Sequence, residues 1–151
     1  MRVSARADYA IRATLELASA GDNPVRADAI ARAQAIPSKF LENLLVDLRR
    51  SRLVVSQRGV GGGYRLARPA SKVTLADVIR AIDGPLAGVR DDAPEDVEYT
   101  GAATSLRDVW VALRASMRSV LEATTLADVA AGKLPAAVGR LLKDPEAWSR
   151  R

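Results

Sequence analysis

Apolar residues recur at helical spacing through most of the first half of this chain. In the opening segment Ile11, Leu15 and Ala18 repeat at that spacing, with Ala7 one turn earlier and Thr14 on the same face. Ser4 is placed to cap this first helix and Asp8 to sit in its first turn, where the helix dipole favours an acid. Gly21-Asp22-Asn23-Pro24 ends it, and a second helix is predicted over 26–35, with Ile30 and Ala31 facing inward. Pro37 then stops the chain and Ser38 is expected to cap a third helix. In it Leu41, Leu44, Leu45 and Leu48 follow the i, i+3, i+4, i+7 rule and form one apolar stripe. Lys39, Asn43, Val46 and Arg50 lie on the other side, flanked by Glu42 and Asp47.

The period then changes. Residues 53–57 and 64–67 read as two short strands around the glycine tip Gly59-Val60-Gly61-Gly62-Gly63. Helical spacing returns over 74–82, where Thr74 with Asp77 three residues on comes close to a capping box, and Asp83-Gly84-Pro85 ends the segment. Residues 86–104 set Asp91, Asp92, Glu95, Asp96 and Glu98 against the single Arg90, a net charge of −4, and read as a mobile acidic loop. A long helix is predicted over 104–123. Leu106, Leu113 and Val120 fall seven apart, as do Trp110 and Met117, which gives a short heptad seam suited to a partner helix; an intrachain core helix is the alternative. Short helices are expected from 125 and over 134–143, followed by a frayed tail over 148–151.

These elements describe a mainly α protein with a small β-hairpin wing. It divides into a winged helix-turn-helix domain (1–84), an acidic loop (85–103), and a dimerisation helix with C-terminal helices (104–151). Charge follows the same division. Residues 1–84 hold 14 Lys and Arg against 8 Asp and Glu, a net of +6, whereas residues 85–151 hold 9 against 10, a net of −1. On charge alone, a DNA-reading domain and a solvated surface with a basic bias are equally good readings. The chain has no Cys and no His, which removes disulfides, thiolate chemistry, zinc fingers and the commonest metal ligands. No stretch approaches the ~20 apolar residues of a membrane span, and no signal-peptide pattern follows Met1-Arg2-Val3-Ser4, so a cytoplasmic protein without membrane contact is expected.

The glycine run does not make a phosphate loop of the nucleotide-binding kind. Tyr64-Arg65 follow it where Lys and Ser or Thr would be needed, and Tyr64 stands where a dinucleotide fingerprint needs Gly. A helix pair joined to a basic, glycine-tipped hairpin suits double-stranded DNA instead. The start of the third helix would enter the major groove. There Lys39 can reach guanine or phosphate, and Asn43 carries the paired donor and acceptor that read adenine. Ser38 and the first amides can hold a phosphate. Arg50 lies on the same face, and Arg58, Gly59 and Arg65 of the wing would position the protein on the backbone without reading sequence.

The segments Arg6-Ala7-Asp8-Tyr9-Ala10-Ile11-Arg12-Ala13, Ile36-Pro37, Phe40-Leu41, Arg58-Gly59, Gly62-Gly63-Tyr64-Arg65-Leu66-Ala67 and Thr74-Leu75-Ala76-Asp77-Val78-Ile79 resemble, in that order, the Rrf-two (BadM-type) family of bacterial winged helix-turn-helix regulators. The resemblance extends over roughly 1–130, including Val109-Trp110 and Thr125-Leu126-Ala127-Asp128. It implies a homodimer on a palindromic operator, with the long helix crossing between subunits through Leu106, Trp110, Leu113, Met117 and Val120. Many members carry three cysteines in the loop before that helix and hold an iron–sulfur cluster there. This chain has none, and Asp8, which matches a carboxylate ligand position in some relatives, lacks the rest of the set. No cluster and no other cofactor is therefore expected. The chain reads as a regulator, a repressor before an activator, answering to an unidentified small molecule or protein. No nucleophile–base pair supports an enzyme. A protein-interaction module that has lost DNA binding is the remaining alternative, opposed by Lys39, Asn43, Arg58 and Arg65.

Overall fold

The computed structural model describes residues 2–150; Met1 and Arg151, the outer ends of the expected first domain and tail, lie outside the described residues. Seven α-helices and one hairpin follow in order: α1 (Ala5–Ala20), α2 (Ala27–Gln34), α3 (Ser38–Arg50), β1 (Val54–Gln57), β2 (Gly63–Leu66), α4 (Leu75–Asp83), α5 (Leu106–Leu121), α6 (Leu126–Ala130) and α7 (Ala136–Leu141). None is long and apolar enough to cross a membrane among the described residues.

The hub is α1, which packs against α2, α3, α4, α6 and β2. Ser4 caps it, its Oγ accepting from the Ala7 amide at 2.9 Å. The buried face agrees with the expected one at Ala7 and Thr14 and departs from it elsewhere. Ala7, Ala10, Ala13, Thr14 and Leu17 are buried, while Ile11, Leu15 and Ala18 lie at the margin of the core. Alanines let neighbouring helix backbones approach closely, and an alanine stripe carries little hydropathy signal. The Thr14 hydroxyl, fully buried, donates to the Ile11 carbonyl at 2.9 Å, so no polar group is stranded there. The α3 stripe is as the spacing predicts: Leu41, Leu44, Leu45 and Leu48 are all buried. Burial of a leucine contributes roughly 1.5–3 kcal/mol, so this stripe is what fixes α3 to the domain.

Residues 74–78 and 125–129 are the same pentapeptide, Thr-Leu-Ala-Asp-Val. Both copies form complete capping boxes, at the starts of α4 and α6. They also meet: Thr74 and Thr125 form an antiparallel bridge, in which the Leu75 amide donates to the Thr124 carbonyl (3.0 Å) and the Leu126 amide to the Val73 carbonyl (2.9 Å). Leu126 is fully buried in the central core. The chain thus leaves the winged domain through α5 and returns to it at α6.

By contrast, α5 has no fully buried residue. Leu106, Trp110, Leu113, Met117 and Val120 are all half-buried. The acidic segment before it carries two single-turn 3-10 helices, Pro94–Asp96 and Gly101–Ala103, and lies against α5. Arg114 holds Glu95 at 2.5 Å, and the Trp110 indole donates to the Tyr99 hydroxyl at 3.0 Å. That guanidinium bond keeps the Glu95 carboxyl below its ordinary value of 4.5. Pro145–Trp148 form a 3-10 turn capped by Asp144, and the Trp148 indole donates to the Leu142 carbonyl at 2.9 Å.

Candidate nucleic-acid interface

The turn between α2 and α3 is built from three residues. Ala35 takes a left-handed conformation (φ 50°) and ends α2. The Ile36 amide then bonds back to the Ala31 carbonyl at 2.9 Å, and Ile36 is buried as the anchor of the turn. Pro37, with φ −57° and ψ 128°, occupies the cap of α3. This corrects the expectation for Ser38, which is the first helical residue and not the cap. Proline is already held near the φ that a helix entry needs, but it has no side chain to accept an amide proton. No side-chain bond caps α3, and the first intrahelical bond is from Leu41 to the Pro37 carbonyl at 3.0 Å. The amides of Ser38, Lys39 and Phe40 therefore open outward without intrahelical partners.

Two features hold α3 in place from α1. Tyr9 meets Phe40 edge-to-face with centroids 5.6 Å apart, and Arg12 lies 5.3 Å over the Tyr9 ring. Arg12 also bonds the Gln34 side chain at 3.1 Å and the Gln34 carbonyl at the end of α2, tying both helices of the pair to α1. Farther along, Arg6 reaches Asp47 on α3 at 2.9 Å. None of these contacts is visible in local sequence spacing.

The wing is a two-stranded antiparallel ladder in the register Val54↔Leu66, Val55↔Arg65, Ser56↔Tyr64 and Gln57↔Gly63. Val54 and Leu66 face the core, so Arg65 and Val55 face outward. A third strand-like contact braces it: Val25 and Tyr64 exchange both backbone bonds at 2.8 Å. Gly63 permits this approach, since a Cβ there would sit 2.5 Å from the Val25 carbonyl oxygen. Gly59 and Gly61 supply the positive φ angles of the tip, 94° and 74°.

All seven residues read as DNA-facing, Ser38, Lys39, Asn43, Arg50, Arg58, Gly59 and Arg65, are exposed, on α3 and the hairpin that follows it. They differ in their partners. Arg50 is engaged by Asp47 at 3.6 Å. The side chains of Ser38, Lys39, Asn43, Arg58 and Arg65 bond to no other described residue. Arg6, Arg12, Arg26, Arg32, Arg68 and Arg80, elsewhere on the same domain, are all in ion pairs. Asp28, in the first turn of α2, is held below its ordinary 3.8 by its bond from Arg26, with Arg32 also near. Unpaired cations thus gather on α3, the turn after it and the wing, with Arg2 and Lys72 the others in residues 2–84 without an ion pair. Arg49, near the end of α3, and Arg52, in the turn before the wing, are also exposed and unpaired, though the helical face read from spacing ends at Arg50.

The donor set for a metal or cluster is a separate matter. The chain has no Cys and no His, and among the described residues no group of three Asp or Glu side chains converges as ligands would. The residues before α5 do not fit an iron–sulfur cluster.

Comparison with known proteins places this geometry. Residues 3–132 match the Rrf2 family, described as iron-dependent transcriptional regulators. A chain of Mycobacterium tuberculosis named as an HTH-type transcriptional regulator is 57% identical over 145 residues, 95% of this chain and 90% of its own. The HTH-type regulator CymR of Bacillus subtilis is 34% identical over 131 residues, 86% of this chain and 90% of its own. The solved structure of that CymR, titled the global cysteine regulator, superposes with a TM-score of 0.75 over 87% of this chain and 98% of the other. The structure of an IscR from T. potens gives 0.68 at 29% identity, over 100% of this chain and 93% of the other.

Proposed function

The chain belongs to the Rrf2 family of DNA-binding transcriptional regulators, and from that premise we propose that it is a homodimeric repressor that reads a palindromic operator without an iron–sulfur cluster. The observation that carries the reading is the contrast in cation pairing. Lys39, Arg49, Arg52, Arg58 and Arg65, five of the seven cations in residues 2–84 without a carboxylate partner, lie on α3, the turn after it and the wing, where phosphates would supply one. The open amides at the start of α3 add a dipole-assisted site for one phosphate. Lys39 and Asn43 then meet base edges, and the wing arginines fix register on the backbone.

Dimerisation is supported by α5. A helix with a heptad seam left half-buried in one chain gains its missing burial from a second copy. Two heads related by a two-fold axis bind half-sites about one helical turn, ~34–36 Å, apart. Cluster-free operation is supported by the missing donors, and the regulatory input then comes from a small molecule or a protein instead.

Selection of bound sequences from random DNA, with sedimentation of the complex, tests this reading. An inverted repeat occupied by two chains is expected, as is loss of the dimer and of tight operator binding in Met117→Arg. A non-symmetric site bound by a single chain would reject it.

A further inference from the structure

Two cavities lie side by side where α4, the segment after it and α5 meet, sharing the wall formed by 85–88. One is about 430 Å³ and ringed by charged side chains; the other is about 320 Å³, with Val89, Pro94, Trp110 and Leu113 around it. Together they fall in the size range of small-molecule sites, ~300–1,000 Å³.

The larger cavity is lined by charges of both signs. On the helix side, Arg80 and Arg118 share the carboxylate of Glu122. Arg114 is already matched by Glu95. On the loop side, Asp91 and Asp92 line the cavity with no cation in ion-pair distance among the described residues. The turn that carries them is closed by reciprocal backbone bonds between Val89 and Asp92 (3.0 and 3.1 Å). It holds Arg90 and Asp91 at φ 56° and 71°, a left-handed pair without glycine. Such backbone persists where surrounding structure demands it. Asp83, at the end of α4, accepts from the Ser4 hydroxyl at 2.5 Å and keeps its negative charge on the wall, and Arg90, 5.9 Å over the Tyr99 ring, adds a cation on the loop side.

A simple anion would meet Asp83, Asp91 and Asp92, and a simple cation would meet Arg80, Arg90 and Arg118. A ligand carrying both charges satisfies both. We propose that this cleft binds a free amino acid. Its carboxylate would lie against Arg80 and Arg118, its ammonium against Asp91 and Asp92, and an apolar side chain in the adjoining cavity against Val89 and Pro94. Such a ligand bridges α4 of the DNA-binding domain to α5 and adjusts the angle at which two heads meet DNA. That regulatory consequence rests on the reading of the chain as a dimeric DNA-binding regulator; the binding itself does not.

The test is calorimetry and thermal shift on the full chain with L-leucine, L-methionine and L-phenylalanine up to about 10 mM. Each is compared with its counterpart lacking the amine and its counterpart lacking the carboxylate. At least one amino acid is expected to bind saturably, and neither half-ligand to do so. Arg118→Ala and Asp91→Asn should each weaken binding about tenfold or more, with far-UV circular dichroism unchanged. Absence of binding by all three amino acids, equal binding of a half-ligand, or wild-type affinity in both variants would overturn the proposal. Operator affinity measured on the same samples separates the two readings. Operator binding without amino-acid binding sinks this inference alone, and the reverse outcome sinks the DNA reading alone.

Discussion

The winged domain and α5 both carry apolar stripes but bury them very differently. In the domain, α1 has five fully buried positions on one face and α3 has four. In α5, a helix as long as α1, there is none. The domain is complete in one chain, held by a leucine and alanine core with its loose ends capped. The long helix is complete only in part, steadied by the acidic segment and by Arg80 reaching Glu122. On the proposed reading, a self-sufficient head joined to an under-buried helix divides recognition, which one chain supplies, from symmetry, which needs two.

The sharpest way to break this comparison is through α6, which lies beyond α5 in sequence but within the head in space. Leu126→Ala empties a fully buried position and should lower the stability of the winged domain by about 2–5 kcal/mol in urea unfolding. A negligible change would mean that α6 does not belong to the head. Gly63→Ala comes next. Its new Cβ meets the Val25 carbonyl, so the Val25–Tyr64 pairing must open, at a cost of about 1–3 kcal/mol. Amide exchange at Tyr64 should accelerate and operator affinity should fall.

Smaller effects sharpen the picture at the join. Thr74→Ala and Thr125→Ala each remove one of the twin capping boxes and should cost about 1 kcal/mol apiece by thermal unfolding. Because the two boxes touch, the double variant should depart from additivity. The smallest effect belongs to the segment on α5. Glu95 titrates below its ordinary 4.5 because Arg114 bonds its charged form. The stabilisation it contributes is whole above that value and is lost as pH falls through the lowered folded value. Tryptophan fluorescence should report a step on acidification below pH 4.5 in the wild type, and Glu95→Gln should lack it.

Legibility in the sequence followed the range of the interactions. The α3 stripe, the hairpin and the Thr74 cap are written in spacings of two to four residues, and all are present as read. The buried face of α1 was harder, because alanine is a weak hydrophobic marker and the neighbours that select Ala7, Ala10 and Ala13 come from four other helices. Ser38 was taken for a cap because serine so often is one; Pro37 took that position since its own φ already suits it. The brace of Arg12, Gln34, Tyr9 and Phe40 joins residues up to 31 apart and has no local signature. The return of α6 did have one: the repeated Thr-Leu-Ala-Asp-Val, whose two copies pair. The exposed residues of the candidate interface were legible as a set, but which arginines are spoken for and which are not depends on the fold.

The account turns on α3 reading bases while the wing holds backbone, and one paired measurement tests that most directly. Operator and scrambled-DNA affinities of Asn43→Ala and Arg58→Ala are followed across a salt series. Asn43→Ala should lose about 1–3 kcal/mol on the operator, confined to one base pair of each half-site, and nothing on scrambled DNA. Arg58→Ala should weaken both DNAs alike and lower the salt slope by about one per chain. Wild-type behaviour of both variants on both DNAs would contradict the docking.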